Sequence, residues 1–192
     1  MSEISIKALK DLSKQALLKT GLSTKHVDIT VDHYVENELS GKASHGIVRV
    51  IEAVKTIEKY GVPSDEISIV LDKGNITVME AKGQLGTVAA LKASELVIKR
   101  AQEHGLAFIG TRNYIASTGS MAYYLRRFTA KGLIAIMGCN SVALVSHPNS
   151  KERIVGTNPI GVGFPSADGQ DFITDIATSA IAYGKIMVAK DT

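Results

Sequence analysis

The chain has 192 residues, 45% of them hydrophobic and 21% charged, values ordinary for a globular protein and unlike those of a disordered one. Its net charge of +3 comes from interleaved acidic and basic residues, which excludes a nucleic-acid arm or a membrane-surface patch and leaves open a local positive field for a small anion. The single Cys139 excludes an intramolecular disulfide and a thiol-rich zinc site; together with an N-terminus that lacks a signal-peptide core or a long apolar span, it points to a soluble protein in the reducing cytoplasm with no metal, membrane or nucleic-acid partner.

Ile6, Leu9, Leu12, Ala16 and Leu17 recur at helical spacing and predict a first helix stopped at Gly21. Ser23 or Thr24 is placed to cap a second helix, whose stripe is Val27, Val31, Tyr34 and Val35 and which Gly41 breaks. A third helix is expected over 44–60, ended by Gly61 and Pro63. The period then changes to two, and the runs 67–71 and 76–79 around Asp72-Lys73-Gly74-Asn75 have the pattern of a β-hairpin. A long helix over 86–104, an apolar run at 106–110, a helix over 120–130 and a second apolar run at 133–138 follow in the order of an α/β layer. Two more strands are expected in 156–165 and 172–180, and a helix from 179 onward.

The third helix holds the most suggestive residues. Ile47, Val50, Ile51, Val54 and Ile57 define an apolar face, and His45, Arg49, Glu52 and Thr56 lie opposite, with His45 and Arg49 one turn apart. A histidine at a helix start beside an arginine is held neutral and able to accept a proton, while the arginine is suited to grip a carboxylate in bidentate fashion. Oxidation of a 2-hydroxy acid needs that pair of functions. The same residues also fit the solvated face of an amphipathic helix, and periodicity does not choose between the two.

No GxGxxG or GxxxxGK[ST] loop joins a strand to a helix here, so a nucleotide would be held in some other way. Ser117 to Ser120, STGS, sits between an apolar run and a helix, where it suits either a phosphate or a plain N-cap. His26, His33 and His104 lie on or beside helices and read as structural; His147 is in a polar loop, from which it could approach a site.

Taken together, KASHGIVRV at 42–50, GTRN at 110–113, STGSMAYYL at 117–125, GTNPIGVGFP at 156–165 and DIATSAIAYGKI at 175–186 resemble the malate/L-lactate dehydrogenase type-2 family. That family includes ureidoglycolate, sulfolactate and diketogulonate oxidoreductases and a cyclic-imine reductase. The resemblance implies a non-Rossmann, sulfolactate-dehydrogenase-like α/β fold with a helical N-terminal layer and a mixed sheet. It further implies NAD or NADP as hydride carrier, a small 2-oxo or 2-hydroxy acid as substrate, and a homodimer.

Carried over by position, Ser44 and His45 match the family's Ser-His-Gly motif and Arg49 its carboxylate-binding arginine. Asp175, Ile176 and Ala177 match the segment that contacts the cofactor. Asn140 and Ser141 match the strand end beside that segment, Ser117, Thr118 and Gly119 match a loop near it, and Lys185 matches a following Gly-Lys. Two departures stand out. Ser117 occupies a position where the family commonly has a proton-accepting histidine, in a loop one residue longer, and Asn149-Ser150 replace a Gly-Gly pair. Serine has no useful basicity near neutral pH, so the proton would fall to His45 or to a recruited His147.

The resemblance also implies that 1–110 form a helical and hairpin region on the substrate and dimer side, and that 111–192 begin a cofactor domain that this length does not complete. Two other readings stay open: a catalytically inactive binding module on the same scaffold, and a cyclic-imine reductase.

Overall fold

Ser5 starts the first helix by accepting the Ala8 N–H on its side-chain oxygen at 3.2 Å, and α1 runs from Ile6 to Leu18 in the computed structural model, which describes residues 3–181. The stripe read from the sequence is only half right. Leu17 is fully buried, yet Leu12 is 57% exposed and Ile6 is exposed, while Ser13 turns inward and returns its hydroxyl to the Leu9 carbonyl at 2.8 Å. Gly21 ends the segment at φ +86, a conformation that suits glycine.

The second helix, α2 (Thr24–Leu39), is buried along Val27, Val31, Tyr34 and Val35, as expected. Ser23 stands at its N-cap without capping it, and donates instead to Asp65 Oδ1 at 3.0 Å. A single 3-10 turn, Ala43–His45, precedes α3 (Val48–Tyr60). The core of this helical layer joins Leu17, Val31, Val35, Val50 and Ile57 to Leu85 and Val88, residues that bracket the start of the next helix.

The hairpin forms as predicted. β1 (Ser68–Asp72) pairs antiparallel with β2 (Ile76–Glu80), and its register slips between Ile69 and Leu71. Gly74 turns the chain at φ +74 while Asp72 Oδ1 accepts its N–H at 2.9 Å. From β2 the chain crosses through α4 (Gly86–His104), which Gly105 ends in the left-handed conformation, and returns as β3 (Phe108–Arg112) parallel to β2. The sheet order β1-β2-β3 is therefore mixed, and β2-α4-β3 is a βαβ crossover. Buried Thr30 and Thr87 join α2 to α4 through their hydroxyls at 3.1 Å.

The chain divides into two compact units, Met1–Gly119 and Ser120–Thr192. In the second, α5 (Met121–Thr129) lies on an antiparallel sheet of order β4-β7-β8, formed by Ala135–Gly138, Ile160–Phe164 and Phe172–Ile176. Gly161 and Gly163 turn toward α5, and a Cβ on Gly161 would stand 2.8 Å from a Leu125 methyl, so these glycines let helix and sheet close up. Two short strands, β5 (Val145–Ser146) and β6 (Arg153–Val155), make a small separate hairpin that the sequence pattern does not announce. The strand expected over 172–180 stops at Ile176, residues 179–181 are bends, and the rest of the helix expected from 179, with Lys185, lies outside the described residues. Among the described residues no helix is long and apolar enough to cross a membrane.

Candidate functional site

The continuous helix expected over 44–60 is interrupted. Ser44 and His45 belong to the 3-10 turn, Gly46 takes a non-helical φ of −92 and ψ of −142, and α3 proper starts at Val48. His45 and Arg49 are therefore not stacked on one helix face, and His45 stands ahead of the first turn of α3. What joins the motif is a fold-back: Arg49 Nε donates to the Ser44 carbonyl at 2.8 Å, Arg49 Nη1 pairs with Glu52, and the Ser44 hydroxyl meets His45 Nδ1 at 3.1 Å.

The solvated-face alternative fails for the arginine, whose side chain is 12% exposed, and His45 is half-buried. Ile51, placed on the apolar face by periodicity, is 60% exposed, and Ala53 is buried in its stead. Behind the turn lies buried Tyr34. Burial above all, and then the Glu52 charge, hold its phenol far above the usual tyrosine range, with Arg49 acting the other way.

The 117–119 turn is closed on two sides. Ser117 Oγ accepts the Gly119 N–H at 3.0 Å, a Cβ on Gly86 would touch the Ser117 carbonyl carbon at 2.7 Å, and Gly119, at φ +76, has the imidazole of fully buried His33 packed against its α-carbon. That ring also meets Tyr34 edge to face, with centroids 5.8 Å apart. Two residues that the sequence reading did not place at a site thus bear on these turns. One is His33. The other is Glu38, whose Oε2 accepts the Ile47 N–H at 2.9 Å. Their only sequence signal is their spacing from Tyr34 on α2, which helix periodicity alone does not mark as functional.

In the second unit Asp175, on β8, caps α5. Its Oδ2 accepts the Ser120 hydroxyl at 2.7 Å and the Ala122 N–H at 3.2 Å, placing a carboxylate at the helix N-terminus where a phosphate had been considered. Asn140 and Ser141 follow β4, Ile176 ends β8 and Ala177 follows it, at the same end of the sheet. Between them runs Gly156-Thr157-Asn158-Pro159. Asn158 Oδ1 accepts the Ser141 N–H at 2.9 Å, the Ser141 and Thr157 hydroxyls meet at 3.2 Å, and the Thr178 N–H reaches the Thr157 carbonyl at 2.9 Å. A Cβ on Gly156 would strike the Ser141 carbonyl. The Gly-Thr-Asn-Pro motif is thus the clasp of this sheet end, with Asn158 as its bridging side chain. Asn140 and Ile176 are exposed there, and Ala177 is half-buried.

His147 is exposed in the loop after β5, beside the Pro148 carbonyl. His26 is buried, and burial chiefly pushes its imidazole below the ordinary value. Among the described residues no group of three or more His, Cys, Asp or Glu side chains is arranged to hold a metal ion.

The sequence profile of the malate/L-lactate dehydrogenase family matches residues 4–192. The chain is 33% identical over 181 residues to the L-sulfolactate dehydrogenase of Methanocaldococcus jannaschii, covering 94% of this chain and 52% of that protein. It is 30% identical over 190 residues to the ureidoglycolate dehydrogenase (NAD(+)) of Escherichia coli O157:H7, covering 98% and 54%. The structure of malate dehydrogenase from Pyrococcus horikoshii OT3 superposes with a TM-score of 0.90 at 30% identity, over 96% of this chain and 53% of that one. The chain spans about half the length of the curated relatives it matches. With a profile match over nearly every residue and the same α/β architecture, the chain belongs to the malate/L-lactate dehydrogenase family.

Proposed function

We propose that the protein is an oxidoreductase that moves a hydride between NAD or NADP and C2 of a small 2-hydroxy or 2-oxo acid. The observation that carries this reading is Arg49: a guanidinium nearly withdrawn from solvent, locked by the Ser44 carbonyl and placed in one turn with an imidazole. A withdrawn, pre-aimed guanidinium recognises a carboxylate better than a mobile surface charge does. Glu52 holds that guanidinium in the meantime, and an incoming substrate carboxylate takes its place.

The Ser44 hydroxyl, 3.1 Å from His45 Nδ1, holds the ring in place, and the imidazole accepts the proton of the substrate hydroxyl during oxidation and returns it during reduction. Ser117, engaged with the Gly119 N–H, has no basicity to share in that transfer.

The residues at the sheet end of the second unit fit a nicotinamide cofactor in chemistry. Ser141, Thr157 and Thr178 supply hydroxyls, Asn140 and Asn158 supply amides, and Ile176 and Ala177 supply apolar surface. When bound, that cofactor supplies or accepts the hydride. Asp175 contributes by fixing α5 beside this end, and Ser117 and Thr118 contribute their hydroxyls, while Gly119 shapes their turn with its N–H engaged by Ser117. Ser44, His45 and Arg49 lie in the first unit; of the cofactor residues, Ser117, Thr118 and Gly119 lie in the first and Asn140, Ser141 and Asp175 to Ala177 in the second, in a homodimeric cytoplasmic enzyme, as the family resemblance implies.

The test is turnover of NADH and NADPH with a panel of 2-oxo acids, followed by absorbance near ~340 nm. Oxidation of one coenzyme with at least one acid is expected, and R49K should raise KM by about tenfold or more because a point charge does not replace a planar fork. No turnover with any acid, in the wild type or in S117H, would instead favour an inactive binding module, and a large gain in S117H would reject that module.

A further inference from the structure

We propose that Glu38 is a positioning residue for the Ser44–Arg49 turn: its carboxylate, from the last turn of α2, caps α3 from outside and occupies the notch that Gly46 leaves. The structural half of this inference stands on geometry alone, and the functional half rests on the hydroxy-acid reading of His45 and Arg49.

A helix start leaves backbone N–H groups in need of acceptors, usually met by a side chain at the N-cap. At the N-cap of α3 stands Ile47, which offers none. Glu38 meets the need from another helix, accepting the Ile47 N–H at 2.9 Å, and its negative charge lies at the favourable end of the α3 dipole.

Gly46 is the second half of the device. Its φ of −92 lies outside the left-handed region that favours glycine, and what its surroundings exclude is a side chain. A Cβ built on this buried residue would run into the Glu38 carboxylate and stand 3.2 Å from the Glu38 α-carbon. The glycine of the Ser-His-Gly motif is therefore the seat of a glutamate on the preceding helix.

With the carboxylate seated, the turn is held on every side. The His45 N–H reaches the Lys42 carbonyl at 2.8 Å, the Gly46 N–H reaches the Ala43 carbonyl at 3.0 Å, and Arg49 closes the loop through Ser44. Tyr34, one turn before Glu38 on the same face of α2, lies close enough to feel the charges of Arg49 and Glu52. The face Tyr34–Glu38 is thus the template on which the imidazole and the guanidinium are set.

The experiment makes E38A, E38Q, G46A and E38A/G46A in the full chain. It reads amide hydrogen exchange at Ile47, binding of oxamate as a 2-oxo-acid analogue, and KM and kcat with the best 2-oxo acid. E38A should speed Ile47 exchange by about tenfold or more, whereas E38Q, which keeps an acceptor oxygen, should retain most of the protection. G46A should imitate E38A by displacing the carboxylate, and the double variant should be no worse than either single, a non-additivity expected only if the two residues act as one. E38A should weaken oxamate binding and raise KM by about tenfold while kcat falls less, with E38Q rescuing both.

Unchanged Ile47 exchange in E38A, or additive effects in the double variant, overturns the inference. Loss of Ile47 protection with oxamate affinity intact overturns its functional half. A wild-type chain that handles no 2-oxo acid defeats the hydroxy-acid reading, while the exchange data still decide whether Glu38 seats the turn.

Discussion

The Nδ1 atom of His26 faces two groups that require opposite protonation states. Gln84 Nε2, 2.9 Å away, donates to a neutral ring nitrogen, while Asp65 Oδ1, at 3.0 Å, attracts a protonated one. Burial dominates and lowers the imidazole pKa; Asp65 opposes that shift, and Lys92 and Lys25 add to it. A folded-state pKa below the unfolded one stabilises the fold fully above the unfolded value, about 6.5, and that contribution is lost as pH falls toward the folded value. The thermal midpoint should therefore drop between about pH 7.5 and about pH 5, and more steeply in the wild type than in H26N, where no ring titrates. Equal slopes in the two proteins would show that His26 stays neutral throughout or that other groups govern the acid limb.

At the scale of elements, what the sequence made legible was whatever depends on neighbours close in the chain. The α2 stripe, the stop at Gly21 and the hairpin around Gly74 are local signals, and each appears where the period and punctuation put it. The start of α3 was misplaced because its cap comes from Glu38 on another helix, and a tertiary contact leaves no period. Gly46 was visible as part of a motif but not as a break, since its reason is the space that Glu38 needs. The strands β5 and β6, of two and three residues, are too short to show alternation.

The start of α5 teaches the same lesson. Ser120 sits at its N-cap as expected from Ser-Thr-Gly-Ser, yet its hydroxyl donates to Asp175, a residue far along the chain, and the carboxylate does the capping. Removing that acceptor in D175A should cost about 1–2 kcal/mol, seen as a lower urea midpoint at unchanged slope. D175N, which keeps one acceptor oxygen, should lose less. A D175A midpoint within experimental error of the wild type would return Asp175 to the set of residues kept for a ligand and not for the fold.

On the scale of the whole molecule, the β4-β7-β8 sheet poses a question that its glycines answer for one face only. Opposite residues of an antiparallel pair share a face, so Ala135, Gly163 and Ile173, with Met137, Gly161 and Asp175, turn toward α5, where Met121 and Leu125 are fully buried. The other face presents Ile136, Ile160, Phe164, Phe172 and Ile176, and all five are exposed among the described residues, Ile136 to 76%. A sheet with two apolar faces normally has both covered.

The two faces should therefore answer differently to substitution in this 192-residue chain. L125A removes a packed side chain and leaves a cavity, so it should lower stability by about 2–5 kcal/mol. I136E exchanges an exposed apolar group for a charge and should stay within about 0.5 kcal/mol of the wild type by urea unfolding. The same charge interrupts a continuous apolar face, so I136E should also sediment with less concentration dependence than the wild type. A loss near that of L125A in the I136E chain would mean that the outer face is already covered, and the contrast between the faces of this sheet would disappear.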